Sequence, residues 1–240
     1  SYDVLVIGGG ISGACVAHEA ASRGLSVALV EKSDFGAATS AATSKLIHGG
    51  LRYLNYLEFG LVRESLRERR ILEDIAPHLV YPLPFLIPTY RSLSSNRFIL
   101  KAGMILYDLL SWDKTFTRHR SKKIPAHRSL SAAEVMRISP QVPAENLTGG
   151  QMYFDCQSIF PERLTLAFLK SAVAHGARVS NYAQVVGFER NADGNLGAAQ
   201  VVDHLTGRKH KIQAKIFINS AGPWVTRVQD KAQKSQAHAI

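Results

Sequence analysis

Two hundred and forty residues, 46% hydrophobic and 20% charged, have the balance of a globular protein long enough to bury a core, which excludes disorder, collagen-like repeats and a coiled coil. Two cysteines, Cys15 and Cys156, cannot build a disulfide framework, so a reducing compartment is expected. The formal charge of +10 sits in two blocks: residues 91–128 carry 9 basic and 2 acidic groups and 208–240 carry 7 and 1, whereas 1–90, with 8 and 9, is nearly neutral.

The chain opens on Asp3-Val4-Leu5-Val6-Ile7, with no charged-then-apolar leader, so no signal peptide is expected. This unbroken apolar run has the pattern of a strand covered on both faces of a parallel sheet. A glycine cluster follows, then an Ala-rich helix from about Ser12 to Arg23 that Gly24 can end in a left-handed conformation. Ser26–Val30 is a second strand, ending at Glu31, and Asp34–Ser44 is a loop of small and hydroxyl residues. Apolar positions at Val62, Leu66, Ile71, Leu72 and Ile75 predict one face of a helix over 61–76, stopped by Pro77. Residues 78–146 hold six of the nine prolines, short apolar pieces and the first basic block, and are expected to be an insertion. Its longest apolar stretch, Phe98–Leu110, is interrupted by Lys101 and Asp108 and falls short of the ~20 residues needed to cross a bilayer. Beyond it the pattern predicts a strand at 149–154 and a helix from Pro161 to His175, closed by Gly176. Strands at 178–182, 184–189, 196–204 and 209–214 come next, the last three as a meander, then a buried strand over Lys215–Asn219. After Trp224 the chain is expected to run out as a polar tail.

Gly8, Gly10 and Gly13 form G-x-G-x-x-G after a buried strand and at the start of a helix, the context in which this spacing has meaning. Gly8 permits the turn, Gly10 lets backbone approach a pyrophosphate, Gly13 lets helix and strand pack, and the helix N-terminus favours the anion. Glu31, at the end of the second strand, is placed to accept from both ribose hydroxyls, which disfavours a 2′-phosphate. FAD and NAD both remain open on these residues alone. The hydroxyl-rich loop and the later meander, in place of regular βαβ units, favour FAD, with Thr39, Ser40, Thr43 and Ser44 donating to the pyrophosphate or lining the flavin.

Ala38-Thr39-Ser40 and Ser44-Lys45-Leu46-Ile47-His48-Gly49-Gly50-Leu51-Arg52-Tyr53-Leu54 closely resemble the signature of FAD-dependent glycerol-3-phosphate dehydrogenases of the amino-acid-oxidase-like flavoprotein superfamily. Supporting matches lie at Ala76–Leu79, Tyr107-Asp108, Tyr153–Cys156, Arg163-Leu164 and Asn219–Trp224, while Ser158–Glu162 departs from relatives that carry acidic residues there. The resemblance implies an α/β fold: a Rossmann-like βαβ FAD-binding domain with a three-stranded meander, over 1–76 and 147–228, and a 77–146 insertion belonging to a substrate or cap domain. It implies oxidation of sn-glycerol 3-phosphate to dihydroxyacetone phosphate, with hydride passing from C2 to FAD and electrons to a quinone. In that reading His48 is the base or a hydrogen-bonding orienter, Arg52 forks onto the phosphate, and Tyr53 adds a hydroxyl donor. Lys45, Gly49, Gly50, Val186, Ala221 and Gly222 join the cofactor site. Family members are considerably longer, so the chain is expected to be the N-terminal part of an enzyme, cut within the 229–240 tail and inactive alone.

Two other classes compete with this one. An amine-oxidising flavoenzyme would share Glu31 and the glycines but not Lys45–Leu54 in this form, and a nucleic-acid binder would need a module that is absent. No metal spacing is present, so no metal site is expected, and neither cysteine is expected to have a redox role. The basic block, where Arg97 and Lys101 interleave with Phe98, Ile99 and Leu100, suits either an anionic bilayer or a solvated cap face. A cytoplasmic protein, peripheral on the inner face of the cell membrane in the first case, is expected.

Overall fold

The structure, a computed structural model, describes residues 1–91 and 96–234; residues 92–95, in the expected insertion, and 235–240, in the expected tail, lie outside the described residues. In chain order the elements are β1 (Tyr2–Ile7), α1 (Ile11–Ser22), β2 (Val27–Val30), β3 (Leu46–Ile47), α2 (Phe59–Ile75), β4 (Val80–Tyr90), α3 (Arg97–Leu110), β5 (Arg128–Leu130) and α4 (Ala132–Ile138). They continue with β6 (Leu147–Ser158), α5 (Pro161–Ala174), β7 (Arg178–Ser180), β8 (Ala183–Arg190), β9 (Leu196–Asp203), β10 (Lys209–Asn219) and α6 (Val225–Lys234), with 3₁₀ turns at Leu51–Tyr56, Arg120–Lys122 and Gly222–Trp224. Ser1–Ser44 with Phe160–Ile240 form one compact unit, and Lys45–Ile159 a second. Residues 45–76 and 147–159 therefore fall in the same compact unit as 77–146.

The first unit is an α/β fold of the expected Rossmann-like kind. Its sheet runs β7-β2-β1-β10-β9-β8. β1 lies parallel to both β2 and β10, so its residues alternate between two apolar layers. Val4 and Val6 join Val27 and Leu29 under Ala14, Ala17 and Ala21 of α1 and Leu169 and Ala172 of α5. Leu5 and Ile7 join Ala28, Val30, Val185, Phe188, Ala199 and Val201 on the opposite side. Each fully buried Val or Leu here contributes roughly 1.5–3 kcal/mol. The three alanines, spaced by helical turns, remove side-chain bulk where α1 lies on the sheet. Gly24 closes α1 at φ +84° and Gly176 follows α5 at φ +94°, as their positions predict.

Two expectations about this unit need correction. The third meander strand and the buried strand after it are one element: β10 pairs antiparallel with β9 over 209–213 and parallel with β1 from Ala214 to Asn219. Its polar first half and apolar second half read as two pieces because β10 changes partner from β9 to β1 at Ala214; the second half is not the buried strand expected, since Ile216 is 57% exposed and Phe217 and Ile218 are only half-buried. Nor does the chain become a polar tail after Trp224: 225–234 is helix α6, whose Val228 and Ala232 pack on the second apolar layer. A two-residue stripe at i, i+4 is too thin to stand out among seven polar neighbours.

In the second unit β6 is the central strand, paired with β4 along nearly its whole length and with the short β3 and β5. The proline-rich segment after Pro77, expected as short irregular pieces, is thus opened by an eleven-residue strand. Pro82, Pro84 and Pro88 share one parity on β4, which pairs only with β6, so their missing N–H groups fall on its free edge, where proline is tolerated. β6 is likewise longer than the 149–154 expected. Helix α2 forms as expected, but its buried stripe is Val62, Leu66, Arg69 and Glu73. Ile75, expected on the inner face, is 57% exposed. Hydrophobicity alone misplaces the stripe because half of the inward positions are charged.

Candidate functional site

The first unit holds a cleft of about 750 Å³ at the C-terminal ends of β1, β2 and β10, within the usual ~300–1,000 Å³ of small-molecule sites. Gly8, Gly10, Glu31, Thr39, Ser40, Ala221 and Gly222 line it. Gly8 has φ +113°, and a Cβ on it would sit 2.4 Å from the Ser220 carbonyl oxygen; one on Gly13 would sit 1.9 Å from the Gly8 oxygen. Side chains are therefore excluded at both, which lets β1, β10 and α1 converge. Gly10 caps α1 without a side chain, and Ile11 N–H at the helix start donates to Ser40 Oγ at 2.9 Å. A short loop hydroxyl thus reaches the helix N-terminus, where an anion would be favoured.

Glu31 already has two backbone partners: Gly9 N–H donates to Oε2 at 2.7 Å and Ser33 N–H to Oε1 at 2.8 Å. Sequence reasoning passed over Gly9, yet a Cβ there would lie 2.8 Å from Glu31 Cβ. It also missed Lys32, whose Nζ sits 3.4 Å above the Trp224 ring, and Arg227 and Lys231 of α6, all lining the cleft. The last two were hidden by the reading of α6 as a tail. Val186 is not among the lining residues; it sits at a β8 bulge with its carbonyl 3.4 Å from Lys231 Nζ, while Ala183, Gln184 and Val185 face the cleft. Thr43 and Ser44 are exposed and also lie outside the lining set.

The cradle fits a dinucleotide such as FAD. Three backbone positions admit no side chain, a helix start and a hydroxyl face the space, and a carboxylate stands at the end of β2, where a ribose is received.

Lys45, His48, Gly49, Gly50, Arg52 and Tyr53 lie in the second unit. Lys45 has φ +60°, and its carbonyl accepts from Ser158 N–H at 2.9 Å, which starts the β3–β6 pairing. Gly49 and Gly50 are buried, His48 and Arg52 exposed. Gly50, at φ +71°, caps the 51–56 turn, and its N–H donates to His48 Nδ1 at 3.1 Å. The Nδ1 lone pair is thereby engaged, so the neutral ring carries its proton on Nε2. Arg52 Nη2 donates to Tyr53 Oη at 3.0 Å.

Beneath this turn lies a buried polar cluster that sequence reasoning did not find. Asp155 of β6 is 2% exposed, and its Oδ1 accepts from Gly49 N–H at 3.0 Å, from Tyr107 Oη at 2.9 Å and from Arg69 Nη1. Arg69, 1% exposed, also donates to the Phe154 carbonyl. Burial works against the Arg69 charge, but Asp155, joined by Tyr107 and Cys156, outweighs it and holds the guanidinium above its ordinary value. Burial, then Asp155, push the Tyr107 phenol well up. Glu73, fully buried, has its carboxyl raised to about 6, chiefly by burial. The Cys156 thiol beside it and then the charges of Arg69 and Lys122 oppose that rise. The signal available was the i, i+4 spacing of Arg69 and Glu73 with Leu66 before them, but no local rule says that charges face inward.

Comparison with known proteins now adds to this geometry. Residues 3–239 match the model of the DAO family, FAD dependent oxidoreductase. A glycerol-3-phosphate dehydrogenase of Synechocystis sp. is 45% identical over 230 residues, 95% of this chain and 40% of that protein. An alpha-glycerophosphate oxidase of Enterococcus casseliflavus is 38% identical over 235 residues, 96% of this chain and 37% of that protein. The crystal structure of a glycerol-3-phosphate dehydrogenase from Bacillus halodurans complexed with FAD superposes with a TM-score of 0.71 at 31% identity, over 96% of this chain and 36% of that one. The chain thus spans about two fifths of the length of the relatives it matches. A nucleotide cleft of backbone and glycine, on a Rossmann-like sheet that continues into a three-stranded meander, agrees with a family match across nearly every residue: the chain belongs to the FAD dependent oxidoreductase family.

Proposed function

We propose that this chain is part of an enzyme that binds FAD in the first unit's cleft and oxidises sn-glycerol 3-phosphate to dihydroxyacetone phosphate, passing the electrons to a quinone. The observation that carries this reading is the 45% identity, over almost the whole chain, to a protein named glycerol-3-phosphate dehydrogenase. FAD, when bound, supplies the acceptor for the hydride leaving C2. Gly8, Gly10 and the α1 N-terminus receive the pyrophosphate, Gly13 lets α1 pack close behind them, and Thr39 and Ser40 are the hydroxyl donors. Glu31 turns its oxygens to the ribose, and Ala221 and Gly222 complete the cofactor contacts within that cleft. Arg52, exposed and steadied by Tyr53 Oη, forks onto the substrate phosphate.

His48 presents Nε2–H in its neutral form, so it orients the substrate hydroxyl as a donor; acting as the base would require it to release the Gly50 N–H first. Flavin bleaching by glycerol 3-phosphate, and not by amino acids, tests the substrate. Bleaching by amino acids instead would assign the chain to the amine-oxidising branch. In the full-length enzyme, Arg52→Ala should raise KM for glycerol 3-phosphate by about tenfold or more, as loss of a charge-assisted pair predicts, with flavin retained. An unchanged KM would remove the phosphate role. Faster reoxidation by a soluble quinone than by dioxygen supports the quinone step.

A peripheral contact with an anionic bilayer on the cytoplasmic side is favoured by one feature of α3. Phe98, Ile105, Leu109 and, just beyond it, Trp112 form an exposed stripe beside Arg97 and Lys101. Among the described residues no helix is long and apolar enough to cross a membrane. Salt-sensitive binding to anionic vesicles supports the contact; equal binding to neutral vesicles counts against it.

A further inference from the structure

We propose that Asp155, through Tyr107 and Arg69, is a positioning residue that holds the His48-Gly49-Gly50 turn and thereby sets the tautomer and direction of the His48 ring. Its catalytic meaning rests on the role of His48 given above, but its geometry does not. Two successive amides of the turn point to different partners. Gly49 N–H goes inward to Asp155 Oδ1, and Gly50 N–H goes to His48 Nδ1.

The inward bond cannot be replaced by water, because Gly49 is buried against Leu66 and Tyr107. A Cβ on it would lie 2.3 Å from both Leu66 Cδ2 and Tyr107 Oη. Asp155 is itself held from two sides, by the Tyr107 hydroxyl of α3 and the Arg69 guanidinium of α2, on a strand that pairs along β4. Three donors on a single carboxylate oxygen leave it little freedom to rotate. The peptide joining His48 to Gly49 is therefore fixed from below, and the next amide is aimed at the ring. Freed from Asp155, the turn could rotate, the Gly50 bond would weaken, and Nδ1 and Nε2 would compete for the proton. Asp155 touches neither substrate nor cofactor in this scheme; it acts only through the turn.

The test uses the FAD-loaded full-length enzyme with ¹⁵N-labelled histidine. In the unaltered protein, the His48 ring should report an unprotonated Nδ1 and a protonated Nε2. Asp155→Asn keeps the shape but weakens the charge-assisted bonds, so Gly49 and Gly50 amide exchange should quicken about tenfold. The His48 ring should become a mixture of tautomers, and kcat for glycerol 3-phosphate should fall with KM little changed. In Tyr107→Phe, which leaves the Asp155–Arg69 pair intact, exchange in the core of β6 and α2 should stay slow while the turn quickens, which a merely structural role would not predict.

A folded Asp155→Asn protein with unaltered His48 tautomer and turn exchange overturns the proposal. If that variant does not fold, Tyr107→Phe carries the test. It keeps the carboxylate and Arg69 and should still shift the tautomer and speed Gly49 exchange; no change there overturns the proposal equally. Should the unaltered protein fail to oxidise glycerol 3-phosphate while the ring and amides respond as stated, the functional reading fails and the positioning role stands.

Discussion

The glycine turn of the first unit and the His48–Gly50 turn of the second are both tight backbone structures, held by opposite means. At Gly8, Gly9 and Gly13 the geometry depends on absent side chains, since any Cβ would strike backbone or Glu31, and the layers beneath are wholly apolar. At Gly49 the turn is also closed to a side chain, but what holds it is a buried ion pair and a phenol, with a second buried carboxylate, Glu73, on the same helix face. The first arrangement relies chiefly on packing, which tolerates no intrusion, with the Glu31 carboxylate on the Gly9 N–H as a charged contact. The second relies on charge in a medium of low polarisability, where a lost partner is felt strongly and protonation matters.

The largest expected effect breaks the charged side of this contrast. Arg69→Leu leaves Asp155 buried without its counter-charge and should destabilise the protein by about 3–5 kcal/mol, measured by denaturant unfolding. Arg69→Leu with Asp155→Leu should recover part of the loss, because a buried pair removed together strands no charge. A single variant as stable as the unaltered protein would mean that the pair contributes nothing. Next in size, Gly13→Ala forces a methyl against the Gly8 carbonyl and should cost about 3 kcal/mol together with flavin retention. Unchanged flavin content would show that the turn can give way.

The smallest effect sharpens the pH contrast. Glu73 has a folded-state value of about 6 against an ordinary 4.5, so the folded state binds its proton more tightly than the unfolded chain does. The stabilisation is complete below pH 4.5 and is lost as pH rises through 6, about 2 kcal/mol in all. Glu73→Gln should flatten stability over that range; a slope equal to that of the unaltered protein would place the titration elsewhere.

The glycine motif, Glu31 and the strand–helix–strand opening were legible because each depends on neighbours within about thirty residues, so spacing alone carries the geometry. The division of β10 between antiparallel and parallel partners was not legible, since pairing is decided by strands far apart in sequence. Nor was β4, where three prolines argued against a strand until its free edge was known. Helix α2 was found but turned wrongly, because Arg69 and Glu73 face inward toward groups on β6 that no periodicity reveals.

By itself, then, the sequence determined the nucleotide cradle, the α/β class and the family, whose signature is local and backbone-driven. Only the tertiary structure decided what holds the His48 turn: Asp155 lies 106 residues from Gly49. A buried charge is stable only opposite its partner, and that partner is known only once the chain has folded.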